Sequence, residues 1–474
     1  MKNAPTSTPP RDVRDVYGRR YRIGEDAEDL TGHSRRWQLW AAWACMVAIS
    51  PLQYSFGSSA LGLQESRGWS FVQTMWLLAV FVACQALVAV PAAWLQRVRR
   101  ASPTQLVVLG GVLAAAGLAT LAHSGSYAAV LLGYALIGGT GAGLVYAACI
   151  TTAARWFPDR RVATIGFVTG GFACGAVPSI ALLTIFDSAA GQRVVFDLTA
   201  AVALLIVMTA GGVLKDPPRH WWPAEIDAQV WAVDRKLNRS IPNNIPAARH
   251  YRPAEAMRTG ALPLMWLTLA LSTALSLFGI AFVVSYAIEA RLGLAVAGLA
   301  AGLLAAVNGL GRSFAGNLSD RFGRRRVLAA VLMIEGFTHV GLVLAGESGA
   351  GWAFVLCAMF AGLGGGAFYA IMANLVLEFF GENSLVQNQA ILYSAKAVGG
   401  LVGIGVTASV VQAYGYRPVF LAAGLLGLLT ALTVRFLKQP GRPVLPVRPQ
   451  LGTPVAGTVS LLAQPHPGQA RPGE

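Results

Sequence analysis

Two cationic side chains stand inside long apolar runs: Arg312 within residues 293–317 and Lys396 within 387–412. A Lys or Arg near the centre of a bilayer costs about 2.5–3.5 kcal/mol on insertion scales, so one that is present is a candidate for function. At 1.5 Å of rise per helical residue, Arg312 lies roughly 12 Å before Asp320, at the end of its run, and Lys396 roughly 13 Å into its own. Two cations at one depth, with no strong acid close in sequence, call for an anion, and an anion with two carboxylates would satisfy both. A guanidinium meets a carboxylate with a planar fork, whereas an ammonium acts as a mobile point charge. Arg312 is therefore expected to orient the anion and Lys396 to hold its other end. The buried acid nearest in kind is Glu335, with His339 one turn on; these two are expected to pair with each other on one helical face.

Polar and aromatic residues fall at matching places in other apolar runs. Gln53 and Tyr54 can donate hydrogen bonds to an anion, and Asn308 sits one turn before Arg312, where it can orient the guanidinium. Tyr146, Tyr369 and Tyr393 are further candidates for the pocket wall. Nothing points to catalysis: no nucleophile, base and metal-ligand set is apparent, and most of the six histidines lie in connections or tails. The five cysteines all sit in apolar runs, as small packing residues do, so neither a metal nor a redox role is expected. No cofactor is expected.

The elements that must position these groups are long apolar helices. Of 474 residues, 55% are hydrophobic and 12% charged, and the mean hydropathy is +0.55; a soluble protein carries about 25% charged residues. Twelve apolar blocks are evident, over 37–62, 71–96, 104–123, 127–154, 162–186, 194–214, 261–286, 293–317, 326–345, 351–378, 387–412 and 416–437. A spanning helix needs about 20 such residues. The net charge of +15 would suggest nucleic acid in a soluble chain, but its distribution says otherwise. Of the 37 Lys and Arg, 31 fall in one alternate set of connections and tails and 4 in the other. That asymmetry predicts a multi-pass protein of the inner (plasma) membrane with both termini cytoplasmic; its partners are the lipid bilayer and small anions, with no nucleic acid. The polar start shows no cleavable signal, so the first block serves as the insertion signal.

Internal repetition decides the fold class. Gly138-Gly-Thr-Gly-Ala-Gly-Leu-Val-Tyr146 in the fourth block is echoed by Ala361-Gly-Leu-Gly-Gly-Gly-Ala-Phe-Tyr369 in the tenth, an offset of 223. The same offset takes Leu95 to Leu318, and Phe56-Gly57 nearly reaches Phe278-Gly279. The expectation is an all-α membrane protein of twelve transmembrane helices in two six-helix pseudo-repeats. Its parts are a cytoplasmic tail over 1–36, bundles over 37–214 and 261–437, a cytoplasmic middle segment over 215–260 and a disordered tail over 438–474. In the middle segment, Trp221 and Trp222 suggest an interfacial helix.

Residues 316–326, Gly-Asn-Leu-Ser-Asp-Arg-Phe-Gly-Arg-Arg-Arg, resemble the signature loop of the major facilitator superfamily. A conformation-dependent cytoplasmic latch suits these residues. Asp320 can accept from a neighbouring helix N-terminus, Arg321, Arg324 and Arg325 can pair with carboxylates, Gly323 permits the tight turn, and Gly316 opens the motif. The first-half counterpart, Trp94 to Arg100, lacks the acid and the second glycine.

Within that superfamily the chain resembles the oxalate/formate antiporter family, from about residue 37 to 437. The matching pieces are Trp37, Gln53-Tyr-Ser-Phe-Gly57, Asn308-Gly-Leu-Gly-Arg312 through Arg324, Asn388-Gln-Ala-Ile-Leu-Tyr-Ser-Ala-Lys396 and Leu214-Lys-Asp-Pro-Pro218. The resemblance implies that Arg312 and Lys396 bind substrate carboxylates, enclosed by Gln53, Tyr54, Tyr146 and Tyr369. It implies a secondary transporter exchanging small carboxylates, oxalate for formate, rather than an enzyme; a monomer is expected. The alternative is a proton-coupled monocarboxylate symporter, which needs a titratable carboxylate in the cavity.

Overall fold

The computed structural model describes residues 10–15, 19–98, 101–241 and 243–441. The expected disordered tail lies, from residue 442 onward, outside the described residues. Among the described residues, eleven apolar helices are long enough to cross a bilayer: α2 (Phe71–Gln96), α3 (Pro103–His123), α4 (Tyr127–Trp156), α5 (Pro158–Ile185), α6 (Ala189–Val213), α7 (Ala261–Glu289), α8 (Leu294–Phe322), α9 (Arg324–Glu347), α10 (Gly351–Phe380), α11 (Leu385–Tyr414) and α12 (Tyr416–Phe436). The twelfth spanning element, α1, precedes them in three pieces, Arg35–Ile49, Pro51–Tyr54 and Phe56–Arg67.

The break in α1 follows from Pro51, which lacks an N–H and whose ring crowds the preceding turn. Backbone groups freed inside a membrane need partners. Ser55 Oγ donates to the Pro51 carbonyl at 2.6 Å, and Tyr134 Oη, on a π-helical turn of α4, donates to that of Leu52 at 2.5 Å. The result holds Gln53 and Tyr54 at an irregular point in the helix. Helix starts carry the expected signals: Ser70 with Gln73 and Ser102 with Gln105 form reciprocal caps on α2 and α3. Gly323, with φ of +89°, makes the turn between α8 and α9.

Close helix packing runs over glycine, as expected where small residues let backbones approach in lipid. A Cβ on Gly362 or Gly366 of α10 would lie 2.3 and 2.1 Å from the Leu304 and Asn308 carbonyls of α8. A Cβ on Gly166 or Gly170 of α5 would lie 2.8 and 2.6 Å from those of Arg312 and Gly309. Helix α8 is thus gripped on two sides at the level of Arg312. Away from the α8–α9 turn, Gly57 of α1 fits against the Ile280 carbonyl of α7, and Trp76 of α2 covers Gly405 of α11. Phe71, Phe278, Phe282, Tyr416 and Phe420 fill the same end.

The opposite, basic end carries an antiparallel hairpin, β1 (Arg11–Arg14) with β2 (Arg20–Ile23). The middle segment corrects an expectation. Trp221 and Trp222 are buried in protein and start no interfacial helix; among its described residues the segment holds only the short helices Ala228–Val233 and Pro253–Arg258. Trp221 packs on Trp156 at 4.9 Å and donates to the Glu25 carbonyl, while Trp222 packs edge-on to Tyr21 at 4.8 Å. Both indole N–H groups find carbonyl partners, Glu25 and Ile226, so the rings can be buried in protein. Tyr21 in turn donates to Asp15 at 2.8 Å, and burial raises its titration well above the ordinary tyrosine range.

Candidate anion-binding site

The break in α1, the glycine-gripped stretch of α8 and the first half of α11 meet α2, α4, α5 and α10 at one buried cluster of side chains. It gathers the eight residues expected around the anion, while the signature-loop residues lie apart at the basic end. Arg312 is 1% exposed and Lys396 2%. Arg312 Nη2 donates to Tyr54 Oη at 2.7 Å and to Asn308 Oδ1 at 2.9 Å, with Nε 3.3 Å from the same oxygen. Asn308 therefore does orient the guanidinium from one turn away, and Tyr54 reaches the same Oδ1 at 3.1 Å. Lys396 Nζ donates to Gln53 Oε1 at 3.0 Å and to Tyr393 Oη at 3.3 Å.

The two charges share an aromatic enclosure. The Arg312 guanidinium lies 4.8 Å and the Lys396 ammonium 5.9 Å from the centroid of Tyr369, so one ring faces both. Tyr146 and Tyr393 stack at 5.1 Å beside Lys396. Neither cation makes an ion pair among the described residues. Neutral oxygens and π faces offset only part of the cost of desolvating a charge. Two such charges make this cluster a candidate site for an anion.

Two members of the enclosure were not expected. Gln85 Oε1 of α2 accepts from Lys396 Nζ at 2.5 Å, and the Phe172 ring of α5 lies 5.5 Å from it. Gln85 was within reach of the repeat: the 223-residue offset that relates Tyr146 to Tyr369 also relates Gln85 to Asn308. Each half thus contributes one amide and one tyrosine from equivalent places, and each amide receives one cation. Phe172 carries no such signal, being one aromatic in an apolar helix.

Beyond the tyrosines, toward the basic end, lies a cavity of about 90 Å³ whose lining includes Gln96, Thr151, Thr169, Met372 and Gln389. The Tyr146–Tyr393 stack and Tyr369 stand between this cavity and the cations. The far end is closed by the aromatic packing around Phe71 and Phe282.

The signature loop differs in detail from expectation. Asp320 pairs with Arg324 at 3.2 Å rather than with a neighbouring helix N-terminus, because the turn at Gly323 brings Arg324 back over the last turn of α8. Arg324 also pairs with Glu378 at the end of α10. The carbonyl of Arg321 accepts from Asn243 at 2.6 Å, and Arg325 donates to the Arg435 carbonyl at 3.0 Å. Gly316 lies against Val162 of α5. Asn244 accepts from the Arg324 N–H and donates to the Ser319 carbonyl, so the middle segment caps this loop. No group of three or more His, Cys, Asp or Glu is placed to hold a metal among the described residues.

Comparison with known proteins places this geometry in context. The family model described as Major Facilitator Superfamily matches residues 42–294 and 264–467. The oxalate:formate antiporter of Oxalobacter formigenes is 25% identical over 404 residues, covering 84% of this chain and 90% of that protein. Monocarboxylate transporter 11 of Homo sapiens is 30% identical over 192 residues, 38% of this chain and 40% of that protein. Among solved structures, a POT family transporter in complex with 5-aminolevulinic acid superposes with a TM-score of 0.63 at 13% identity, covering 87% of this chain and 97% of that one.

Proposed function

The chain belongs to the Major Facilitator Superfamily and is a multi-pass membrane transporter of small organic anions; from that premise, we propose that it exchanges a dicarboxylate for a monocarboxylate at the Arg312–Lys396 pocket. Oxalate and formate are the pair proposed, in keeping with its similarity to the oxalate:formate antiporter. The observation that supports this reading is the pair of buried cations facing one tyrosine with no acid paired to either among the described residues. Each takes one carboxylate of a small dianion, Arg312 through its fork and Lys396 through a single strong contact.

Exchange follows from the same charges. An empty, closed pocket would hold two desolvated cations repelling each other, so the empty carrier changes state slowly and the loaded one quickly. The bundles over 37–214 and 261–437 rock about the pocket, both termini stay cytoplasmic, and the α8–α9 loop acts as a latch on that side. A dianion entering as a monoanion leaves moves one net charge, worth about 2.3 kcal/mol per 100 mV.

The test is counterflow in proteoliposomes. Vesicles loaded with unlabelled oxalate should accumulate labelled oxalate, with formate competing and acetate and lactate competing less. Arg312→Ala should abolish counterflow while the protein still inserts. Full uptake by that variant removes the proposed site, and uptake driven by a proton gradient with no internal substrate would make the protein a symporter.

A further inference from the structure

Glu335 of α9 is fully buried, and neither of its carboxyl oxygens has a hydrogen-bond partner among the described residues. The side-chain pairing with His339 expected from their spacing is not made. His339 Nδ1 lies 2.8 Å from the Glu335 backbone oxygen, its Nε2 is unpartnered, and its ring stacks on Phe278. A histidine one turn along a helix reaches the backbone carbonyl more directly than the carboxyl, which here points toward α10. There, a Cβ on Gly365 would lie 2.9 Å from Glu335 Oε1 and 2.6 Å from Ser276 Oγ of α7. On the next residue, Gly366, a Cβ would lie 2.8 Å from Asn308 Oδ1, the oxygen that receives Arg312. Only a strip of glycine backbone separates this carboxyl from the residue that holds the anion site's arginine.

An unpaired carboxylate in such surroundings is far less stable than the neutral acid. The groups facing it are few. His339 lies on its own helix, Tyr369 on α10 and Arg312 on α8 beyond the strip; α7 presents Ser276 and Phe278, and α12 presents Phe420 and Gly424 to this stretch of α9. Building on the anion-site reading above, we propose that Glu335 is a proton-binding site coupled to anion occupancy across the α10 glycine strip.

The sign of the coupling follows from charge. With its proton, Glu335 is neutral and the field of Arg312 and Lys396 is undiminished. Without it, a negative charge opposes the incoming anion. By reciprocity, a bound anion favours the protonated acid by the same factor. Across one helix backbone, roughly 12 Å at an effective dielectric constant of about 20, each negative charge on the anion contributes a factor of about ten, so a dianion is weakened about a hundredfold. Anion affinity is therefore greatest at low pH and falls as pH rises through the ionisation of Glu335.

The experiment measures oxalate affinity of the purified full-length protein between about pH 6 and pH 9, where oxalate itself stays ionised. Wild type, Glu335→Gln and His339→Gln are compared, and the protonated-carboxyl stretch is followed by difference infrared spectroscopy. Wild type should weaken as pH rises through the ionisation of Glu335, by up to about a hundredfold. Glu335→Gln should hold the low-pH value throughout, and His339→Gln should keep the slope. The infrared band should decline with rising pH, grow when oxalate is added and be missing in Glu335→Gln. A flat wild-type profile, or an unchanged slope in Glu335→Gln, overturns the proposal. Absence of oxalate binding at every pH overturns the anion reading instead; the infrared band then still judges the proton site, which fails if the band does not respond to pH.

Discussion

Replacing Lys396 with methionine removes a charge while keeping a long, flexible stem. In the native pocket its ammonium donates to Gln85 and Gln53 and faces the rings of Tyr146, Phe172, Tyr369 and Tyr393. A carboxylate about 4 Å from the ammonium would gain about 4 kcal/mol at an effective dielectric constant near 20. Some of that is offset as the ammonium turns from the two glutamine oxygens, leaving the net value of a charged hydrogen bond, about 1.5–3 kcal/mol. Dicarboxylate affinity should fall about 10- to 200-fold. A monocarboxylate engages the Arg312 fork alone and should weaken by less than about threefold. Stability moves differently. Removing a membrane-embedded lysine relieves about 2.5–3.5 kcal/mol, while two glutamine oxygens lose a donor at about 1–3 kcal/mol each. These nearly cancel, so the melting temperature should change little. Equilibrium binding of oxalate and formate to purified wild-type and variant protein, with thermal melts alongside, separates the two effects. Unchanged dicarboxylate affinity, or an equal loss for both ligands, would refute the division of labour between the cations.

Three further perturbations test other parts of the structure. Arg312→Lys keeps the charge but forfeits the contacts to Tyr54 and Asn308, so counterflow should slow about 10- to 100-fold; a rate near wild type would mean that the fork is not used. Gly366→Val drives a Cβ against the Asn308 carbonyl. It should cost about 1–3 kcal/mol or more and abolish counterflow, whereas Gly212→Ala, with open space around it, should leave both melting and transport unchanged. Trp221→Ala removes the Trp156 contact and the bond to the Glu25 carbonyl. It should loosen the hairpin by about 3–5 kcal/mol, seen as faster limited proteolysis between residues 24 and 34, with counterflow retained.

Much of this protein is legible without coordinates because lipid imposes simple rules. Long apolar blocks must become helices, and Arg312 and Lys396 stand out because no soluble-protein logic accounts for them inside such blocks. The repeat of 223 residues relates the halves and makes Gln85 the counterpart of Asn308.

What the residues alone determined was therefore the number and type of the elements, the depth of the two charges and the class of ligand that could satisfy them. Tertiary structure decided who meets whom. It brought α1, α2, α5 and α11 together around Lys396, made Phe172 a wall of that pocket and put the two indoles of the middle segment into a protein core. It also left the Glu335 carboxyl facing glycine rather than His339. Depth along a helix follows from counting residues, but azimuth toward a neighbour is set by which backbones can approach, and that depends on glycines contributed by helices far apart in the chain.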